Sequence, residues 1–253
     1  MPVDLATLTG FDAKGYDVLE ALSPEGRSTK THSESHTFIC VDGKTYWVKG
    51  KAQQGLVAEL IGGRLAAKVG AGPISRIIRL TPEAAKADGS QNHLLGVVVG
   101  SEDEKNVMNT RDFGLLAPGD FDPKLVDPPA RALVVAFQTW IGVADVQILV
   151  NLKTGRIRSI DHGDCFMATD HLTDPVLTIV PIDGVPSSLG NDPTSLESAA
   201  DRIEAVTDQQ LVEAVARIPL GDTWKSPASR RLEIANWLAY RRSKVREVIA
   251  TWA

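Results

Sequence analysis

Two carboxylates in the middle of the chain have the spacing of a metal-dependent phosphoryl-transfer site. Asp161 follows the short predicted strand over residues 156–160 and begins the sequence Asp-His-Gly, and Asp145 lies sixteen residues upstream. An aspartate at the end of a short strand is held rigidly where a loop can bring phosphate and metal to it, and magnesium prefers such hard oxygen ligands. The sequence therefore predicts a magnesium-binding carboxylate at Asp161.

A hairpin is expected to bring these two carboxylates together. Residues 148–151 and 156–160 have the pattern of strands joined by a tight turn, so Asp145 precedes the first strand and Asp161 follows the second at the same end. One carboxylate can orient or deprotonate an acceptor hydroxyl while the other binds magnesium. Gln147 is the nearby amide that we expect to face the site.

A second hairpin and a helix precede this region. Residues 37–41 and 45–49 are rich in β-branched and aromatic types, and Asp42-Gly43 between them predicts a tight primed turn. Residues 56–69 carry apolar side chains at helical spacing and end at a glycine. These elements must position any catalytic or binding residues in the first part of the chain.

Lys49 and Glu59 form a second candidate pair on these elements. Lys49 closes a strand, and Glu59 lies in the first turns of the helix, which can pack across the sheet and present its carboxylate to the ammonium. Such a pair holds a lysine against the phosphates of ATP in kinase-type folds. Taken alone, a strand-end lysine and a helical glutamate are more often solvent-exposed.

The other segments predict strands first and helices later. Strands are predicted over residues 74–80 and 94–100, and helices over residues 130–141, 195–206, 208–217 and 227–252. Val98 lies in a strand of small and apolar residues that is either a wall for an adenine ring or a plain core strand. The order of elements indicates the α+β class.

Composition excludes several classes of protein. The 253 residues are 43% hydrophobic with a net charge of -5, which is typical of an ordinary globular chain and not of a nucleic-acid-binding surface. No apolar run suggests an export signal or a membrane span, so a cytoplasmic protein is expected. The two cysteines, Cys40 and Cys165, are expected to be reduced thiols. A solvated helix face is the favoured interpretation of the basic C-terminal residues Arg230, Arg231, Arg241, Arg242, Lys244 and Arg246.

The order of these residues resembles the HipA-like kinases, which belong to the wider protein-kinase and phosphatidylinositol-kinase fold. The resemblance runs from about Gly26 to Phe166 and continues weakly to Trp224. It is carried by Lys49 on a strand, Glu59 on the next helix, the glycines and proline of residues 70–73, Trp140 before Asp145, and Ile160-Asp161-His162-Gly163.

The resemblance implies a two-lobed, protein-kinase-like fold. A small β-rich N-terminal lobe with one key helix would span residues 1–100, and a mainly α-helical C-terminal lobe residues 101–253. The implied activity is ATP- and magnesium-dependent transfer of a phosphoryl group to Ser or Thr of a protein. No membrane or nucleic-acid partner is implied.

The family's roles carry over to individual residues. Lys49 would contact the nucleotide phosphates, Glu59 would hold Lys49, Asp145 would be the catalytic-loop aspartate and Asp161 the magnesium ligand. The phosphate-covering loop would begin at Gly26. It lacks the Gly-x-Gly-x-x-Gly pattern, so nucleotide binding there would rest on one glycine and on hydroxyls such as Ser28 and Thr29.

The chain departs from the family pattern in the predicted catalytic loop. Val150 stands where family members usually have a metal-binding asparagine. Either Gln147 binds a second metal, or the site binds one metal, or catalysis is impaired; a pseudokinase or nucleotide-binding module is therefore the alternative function. His162 replaces the aromatic residue of Asp-Phe-Gly, where a neutral imidazole can fill the same pocket and donate one hydrogen bond.

Overall fold

Among the described residues, the strands lie mainly in the first part of the chain and the helices mainly in the remainder, so the fold is of the mixed α+β class. A computed structural model describes residues 15–28, 35–49, 55–88, 96–109, 123–143, 147–166, 192–219, 224 and 227–252. Two predicted site residues, Thr29 and Asp145, lie outside these ranges.

The structure supports most of the predicted elements. The strands are β1 (Val18–Ser28), β2 (Ser35–Cys40), β3 (Thr45–Lys49), β4 (Ser75–Leu80), β5 (Gly96–Glu102), β6 (Val107–Asn109), β7 (Gln147–Asn151) and β8 (Ile157–Ile160). The helices are α1 (Leu56–Val69), α2 (Pro82–Ala87), α3 (Pro128–Ile141), α4 (Pro193–Glu204), α5 (Asp208–Val215), α6 (Ala228–Arg242) and α7 (Val245–Ile249). The short elements α2 and β6 were not predicted.

The first five strands form a closed barrel in the order β1-β2-β3-β5-β4. Strand β1 closes it by pairing in parallel with β4, and the other pairs are antiparallel. Alternate residues of β3 point inward, where Tyr46 and Val48 pack with Phe38, Ile78 and Val98. Lys49 and its neighbours on the outer face are therefore free to meet other elements.

Strand β1 was not predicted from the sequence. The predicted phosphate-covering loop begins at Gly26, but the strand continues through Ser28. Its pairing with β2 shifts register between Pro24 and Ser28, and Gly26 has a φ of 87°. Such a bulge lets a strand accept proline and glycine, which a sequence pattern assigns to loops.

The hairpin of β2 and β3 has the predicted pairing but a different turn. Thr37 lies opposite Trp47, and the Cys40 N–H donates to the Lys44 carbonyl at 2.9 Å. Of the loop residues 41–43, Gly43 alone has a positive φ, 77°. A primed type I turn needs positive φ at two positions, so the prediction of a primed turn was wrong and the loop is a three-residue one.

A second sheet has the order β6-β7-β8 and carries the predicted carboxylate hairpin. Gln147 at the start of β7 lies opposite Ile160 at the end of β8. Asp161, the residue after Ile160, therefore lies next to Gln147. The predicted neighbour Asp145 lies outside the described residues.

The last predicted helix is interrupted. We expected one helix over residues 227–252, but α6 and α7 are separated by a turn in which the Ser243 N–H donates to the Tyr240 carbonyl at 3.1 Å. This three-residue spacing is tighter than that of an α-helix. Val245 and Ile249 on α7 are buried and belong to the helical core.

Two of the C-terminal arginines are buried, which corrects the prediction of a solvated face for all of them. Arg231 is 8% exposed and Arg241 is 3% exposed. The Arg241 Nε donates to the Trp140 carbonyl at 2.7 Å, which ties α6 to the end of α3. Burial lowers the pKa of Arg241 to about 10.

Both cysteines are free and buried, as expected of reduced thiols. Burial raises the pKa of Cys40 to about 12, and it also raises the pKa of Cys165 well above the usual value. Among the described residues, no helix has the length and apolar character needed to cross a membrane.

Candidate active site

The ammonium of Lys49 lies between two carboxylates that come from distant parts of the chain. Lys49 Nζ is 2.6 Å from Glu59 Oε2, and it also donates to Asp161 Oδ1. Lys49 ends β3, Glu59 lies on α1, and Asp161 directly follows β8. Three elements thus place one positive and two negative charges together.

Glu59 is held from two sides. Its side chain is almost completely buried, and Ser101 Oγ donates to Oε1 at 3.0 Å while Lys49 binds Oε2. Burial alone would raise the pKa of Glu59, but the neighbouring ammonium of Lys49 outweighs it and lowers the pKa. Glu59 is therefore an ionised, oriented carboxylate.

Lys49 stays charged for the same reason. Burial acts to lower its pKa, but Glu59 and Asp161 outweigh that effect and raise the pKa. Its side chain keeps 15% exposure, whereas that of Glu59 keeps 2%. The ammonium is thus the end of the pair that a ligand can reach.

Asp161 is fixed by its backbone and by an amide chain. It has a left-handed conformation, with a φ of 55°, and begins a short 3-10 turn over residues His162–Asp164. Gln147 Nε2 donates to Asp161 Oδ2 at 2.6 Å, and Asn109 Nδ2 donates to Gln147 Oε1 at 3.2 Å. The side chain of Asp161 is 26% exposed, so it remains open to a ligand.

Two glycines of the α1 region bring this helix against the turn after Asp161. Gly55 caps the start of α1 with a φ of 95°, and a Cβ there would collide with the Gly163 carbonyl. A Cβ on Gly62 would collide with the His162 side chain. Small residues at these two positions therefore allow the close approach that joins Glu59 to Asp161.

His162 is a buried neutral residue beneath the site. It is 1% exposed, its ring packs edge-to-face on Phe137 with centroids 5.6 Å apart, and Nε2 lies 3.0 Å from Ser159 Oγ. Burial lowers its pKa. Gln138 Nε2 donates to the same Ser159 hydroxyl at 3.2 Å, so His162 fills an aromatic pocket and has one hydrogen-bond partner there, as the sequence suggested.

The other predicted site residues that the structure describes are not part of this cluster. Val98 is fully buried in the barrel interior, on the opposite face of β5 from the residues that contact the Lys49 side. Its neighbour Val99 lies directly opposite Lys49 instead. Gly26 and Ser28 are exposed on β1.

Sequence reasoning missed a polar group beside the site. Trp47 shares the face of Lys49 because the two are separated by one residue on a strand. Its Nε1 donates to Asp103 Oδ1 at 2.7 Å, and the Arg27 guanidinium lies 5.2 Å from the ring centroid and 2.8 Å from Asp103 Oδ2. Strand alternation could have found Trp47, but nothing local links Arg27 to Asp103.

The residues present fit a magnesium ion in part. Asp161 offers a carboxylate, whereas Gln147 contacts that carboxylate through its amide nitrogen and its amide oxygen accepts from Asn109, so Gln147 would have to turn its amide to offer oxygen to a metal. Magnesium is usually held by one or two carboxylates with waters and phosphates. The described part of the chain holds no group of three His, Cys, Asp or Glu side chains arranged for a metal. The described residues Asp161 and Gln147 would therefore supply few ligands, and nucleotide phosphates and waters would supply others.

Comparison with known proteins identifies relatives of this chain. The family model described as HipA-like kinase matches residues 26–245. No curated protein sequence matches. The crystal structure of a Helicobacter pylori proinflammatory kinase, CtkA, is 12% identical and superimposes with a TM-score of 0.55 over 93% of this chain and 97% of that one.

More distant structural similarity extends to two other solved structures. The open conformation of CtTel1 is 12% identical with a TM-score of 0.45, covering 87% of this chain and 12% of that one. The Golgi casein kinase solved with Mn/ADP bound is 11% identical with a TM-score of 0.40, covering 98% of this chain and 75% of that one.

Proposed function

The chain belongs to the HipA-like kinase family, and from this premise we propose that it transfers the γ-phosphoryl group of ATP to a Ser or Thr hydroxyl of a protein, with magnesium as the metal. The observation that carries the proposal is the position of the Lys49 ammonium between Glu59 and Asp161. An ordinary surface ion pair would not require a buried glutamate on one element and a strained aspartate on another.

In this proposal each charged residue has one task. Lys49 binds the nucleotide phosphates, and Glu59, itself fixed by Ser101, keeps the ammonium in place. Asp161, with Gln147 beside it, holds the magnesium ion, which neutralises charge on the phosphates when bound. Asp145 orients the acceptor hydroxyl and accepts its proton.

A nucleotide must rearrange the Lys49 cluster when it binds. Lys49 and Asp161 neutralise each other in the structure. Phosphate oxygens of the nucleotide would replace Asp161 as the partner of the Lys49 ammonium, and a cation would replace Lys49 as the partner of the Asp161 carboxylate. Each of the two side chains would therefore keep a neighbour of opposite charge. Glu59 can keep its contact throughout, because it binds Lys49 from the buried side.

The proposed organisation is two-lobed. The barrel with α1, in residues 1–100, would form the N-terminal lobe, and residues 101–253 the C-terminal lobe. Lys49 and Glu59 lie in the first and Asp161 in the second. Nucleotide would bind between them, where the Lys49–Asp161 contact joins the two parts.

Labelled ATP and magnesium test the proposal directly. Purified wild-type protein, Asp145→Ala and Asp161→Ala are compared for transfer to a mixture of protein acceptors. Asp201→Asn, at an exposed position on α4, is the matched control for loss of a carboxylate. Transfer is expected from the wild type and the control only; equal label in all four proteins would refute the proposal.

A nucleotide-binding protein without transfer is the second candidate. The observation that favours it is Val150, which stands at the position expected for the metal-binding asparagine and is fully buried on β7. Thermal-shift titration separates the two functions, because binding alone stabilises by about 2.7 kcal/mol at a hundredfold excess of ligand over Kd. Stabilisation by ATP and magnesium without transfer to any acceptor would support this second function.

A further inference from the structure

A second concave site lies among residues that take no part in the Lys49 cluster. Its lining comes from the end of α1, the start of α3, strand β8 and helix α4, and its volume is about 400 Å³. That volume lies in the lower part of the range for small-molecule sites. Segments far apart in the sequence thus enclose a cavity large enough for a small metabolite.

Three arginines line this cavity: Arg156, Arg158 and Arg202. Arg158 is already paired, since its Nε lies 3.0 Å from Glu104 Oε1 and its Nη1 donates to the Gly70 carbonyl at 2.8 Å. Arg156 and Arg202 are exposed, and within the described residues their guanidinium groups have no ion pair or hydrogen bond.

The described carboxylates at the cavity do not neutralise the positive charge of its arginines. Asp127 also lines the cavity, and its carboxylate accepts the Ala130 N–H at 3.3 Å as the cap of α3. Beside the cavity, Glu104 pairs with Arg158 and also interacts electrostatically with Arg156. Among the described residues, these two carboxylates face three guanidinium groups, so one positive charge remains. A site with excess guanidinium charge and room for a ligand favours an anion.

We propose that this cavity binds a small phosphorylated molecule. Arg156 and Arg202 lie on separate elements, and a phosphate monoester offers three oxygens that can accept from both, whereas a single carboxylate is satisfied by one guanidinium fork. Ser198 adds a hydroxyl donor. Leu133, Ile157 and Ala199 supply an apolar wall for the organic part of the ligand.

Calorimetric titration of nucleotide-free protein with glucose 6-phosphate, ribose 5-phosphate and inorganic phosphate tests the site. Binding of a sugar phosphate is expected, and glucose and malate should not bind. Arg156→Gln and Arg202→Gln should each weaken binding at least about tenfold, and Ser198→Glu should abolish it by adding a negative charge. Arg76→Gln, at another exposed arginine, and the double variant Lys49→Met/Glu59→Gln, which leaves no unpaired buried carboxylate at position 59, should bind as the wild type does.

These variants also distinguish the cavity from the nucleotide site. Arg156, Arg202 and Ser198 are all exposed, so their substitution should leave the fold intact, and circular dichroism checks this. Binding that is lost in a folded Lys49→Met/Glu59→Gln variant but kept in the arginine variants would place the ligand at the Lys49 cluster and overturn the proposal. No binding of either sugar phosphate, or equal binding of malate, would overturn it as well.

Discussion

Lys49 Nζ lies 2.6 Å from Glu59 Oε2 across ten residues of sequence, and the same ammonium contacts Asp161, 112 residues downstream. The contact with Glu59 is formed by the consecutive elements β3 and α1, whereas the contact with Asp161 requires the fold to bring the end of β8 next to β3. The contacts of Lys49 therefore depend both on the local geometry of the barrel and on how the second sheet packs against it.

Removing only the lysine should destabilise the protein strongly. Lys49→Met leaves the buried Glu59 carboxylate without its ammonium, and breaking one partner of a buried pair costs about 3–5 kcal/mol. The double variant Lys49→Met/Glu59→Gln removes both charges and should recover most of this loss. Chemical denaturation of the two single variants and the double variant measures the coupling.

The control for this cycle is an exposed pair. Lys44 Nζ lies 2.9 Å from Glu102 Oε1 near the other end of β3, with the lysine 54% exposed. Lys44→Met should change the free energy of unfolding by less than about 1 kcal/mol. Equal effects at Lys44 and Lys49 would contradict the assignment of a buried, coupled pair.

The protein should lose stability in mild acid because of His162. Burial lowers the folded-state pKa of His162 below its ordinary value of 6.5, so below about pH 6.5 the unfolded chain binds more protons than the folded one. The corresponding stability is present above pH 6.5 and is lost as the pH falls towards the folded-state pKa. Glu59, whose pKa is lowered from 4.5, acts only in stronger acid.

His162→Phe isolates this effect. Phenylalanine fits the edge-to-face packing on Phe137 but cannot take up a proton. The substitution should lower the free energy of unfolding by about 1 kcal/mol at pH 7.5, because the contact with Ser159 is lost. Between pH 7 and pH 5, the variant should lose less stability than the wild type does. Parallel pH profiles from urea denaturation of the two proteins would contradict a depressed histidine pKa.

The sequence predicted those features of the fold that have a local period. The span of α1 matched, since apolar spacing and Gly70 define both its ends. Strand β1 was not recognised because its bulged pairing accepts residues that usually mark loops. The break after α6 was not predicted either, because the helical pattern of the sequence continues through it. Val245 and Ile249, which follow the break, are buried by tertiary packing that the local pattern does not show.

The candidate site was predictable where a motif exists. Lys49, Glu59, Asp161 and Gln147 were found from strand ends and helix position, and the structure brings them together. Val98 was expected in either an adenine wall or a plain core strand, and it lies inside the barrel; alternation gives the two faces of a strand but not which of them is inside. The supports Ser101 and Asn109 carry no local signal, since their partners lie on other elements.

Gln147 should set the response to divalent cations. Gln147→Glu would place a second carboxylate about where the amide now contacts Asp161, so repulsion should lower stability without metal, and magnesium or manganese should stabilise this variant more than the wild type. Gln147→Leu is the control and should show the weakest response. Thermal-shift titration with each metal measures the order; a Leu variant that responds like the wild type would exclude Gln147 as a ligand.

Gly62 should tolerate no methyl group. In an open helix Gly→Ala stabilises by roughly 0.5–1 kcal/mol, but a Cβ on Gly62 would collide with the buried His162 side chain. Gly62→Ala should therefore destabilise by about 1–3 kcal/mol and, by moving α1 away from the turn after Asp161, weaken nucleotide binding. Lys68→Ala, at an exposed position of the same helix, should change stability by less than about 0.5 kcal/mol. Chemical denaturation of both variants gives the sign of the change in the free energy of unfolding. A stabilised Gly62→Ala variant would show that α1 does not pack closely against His162.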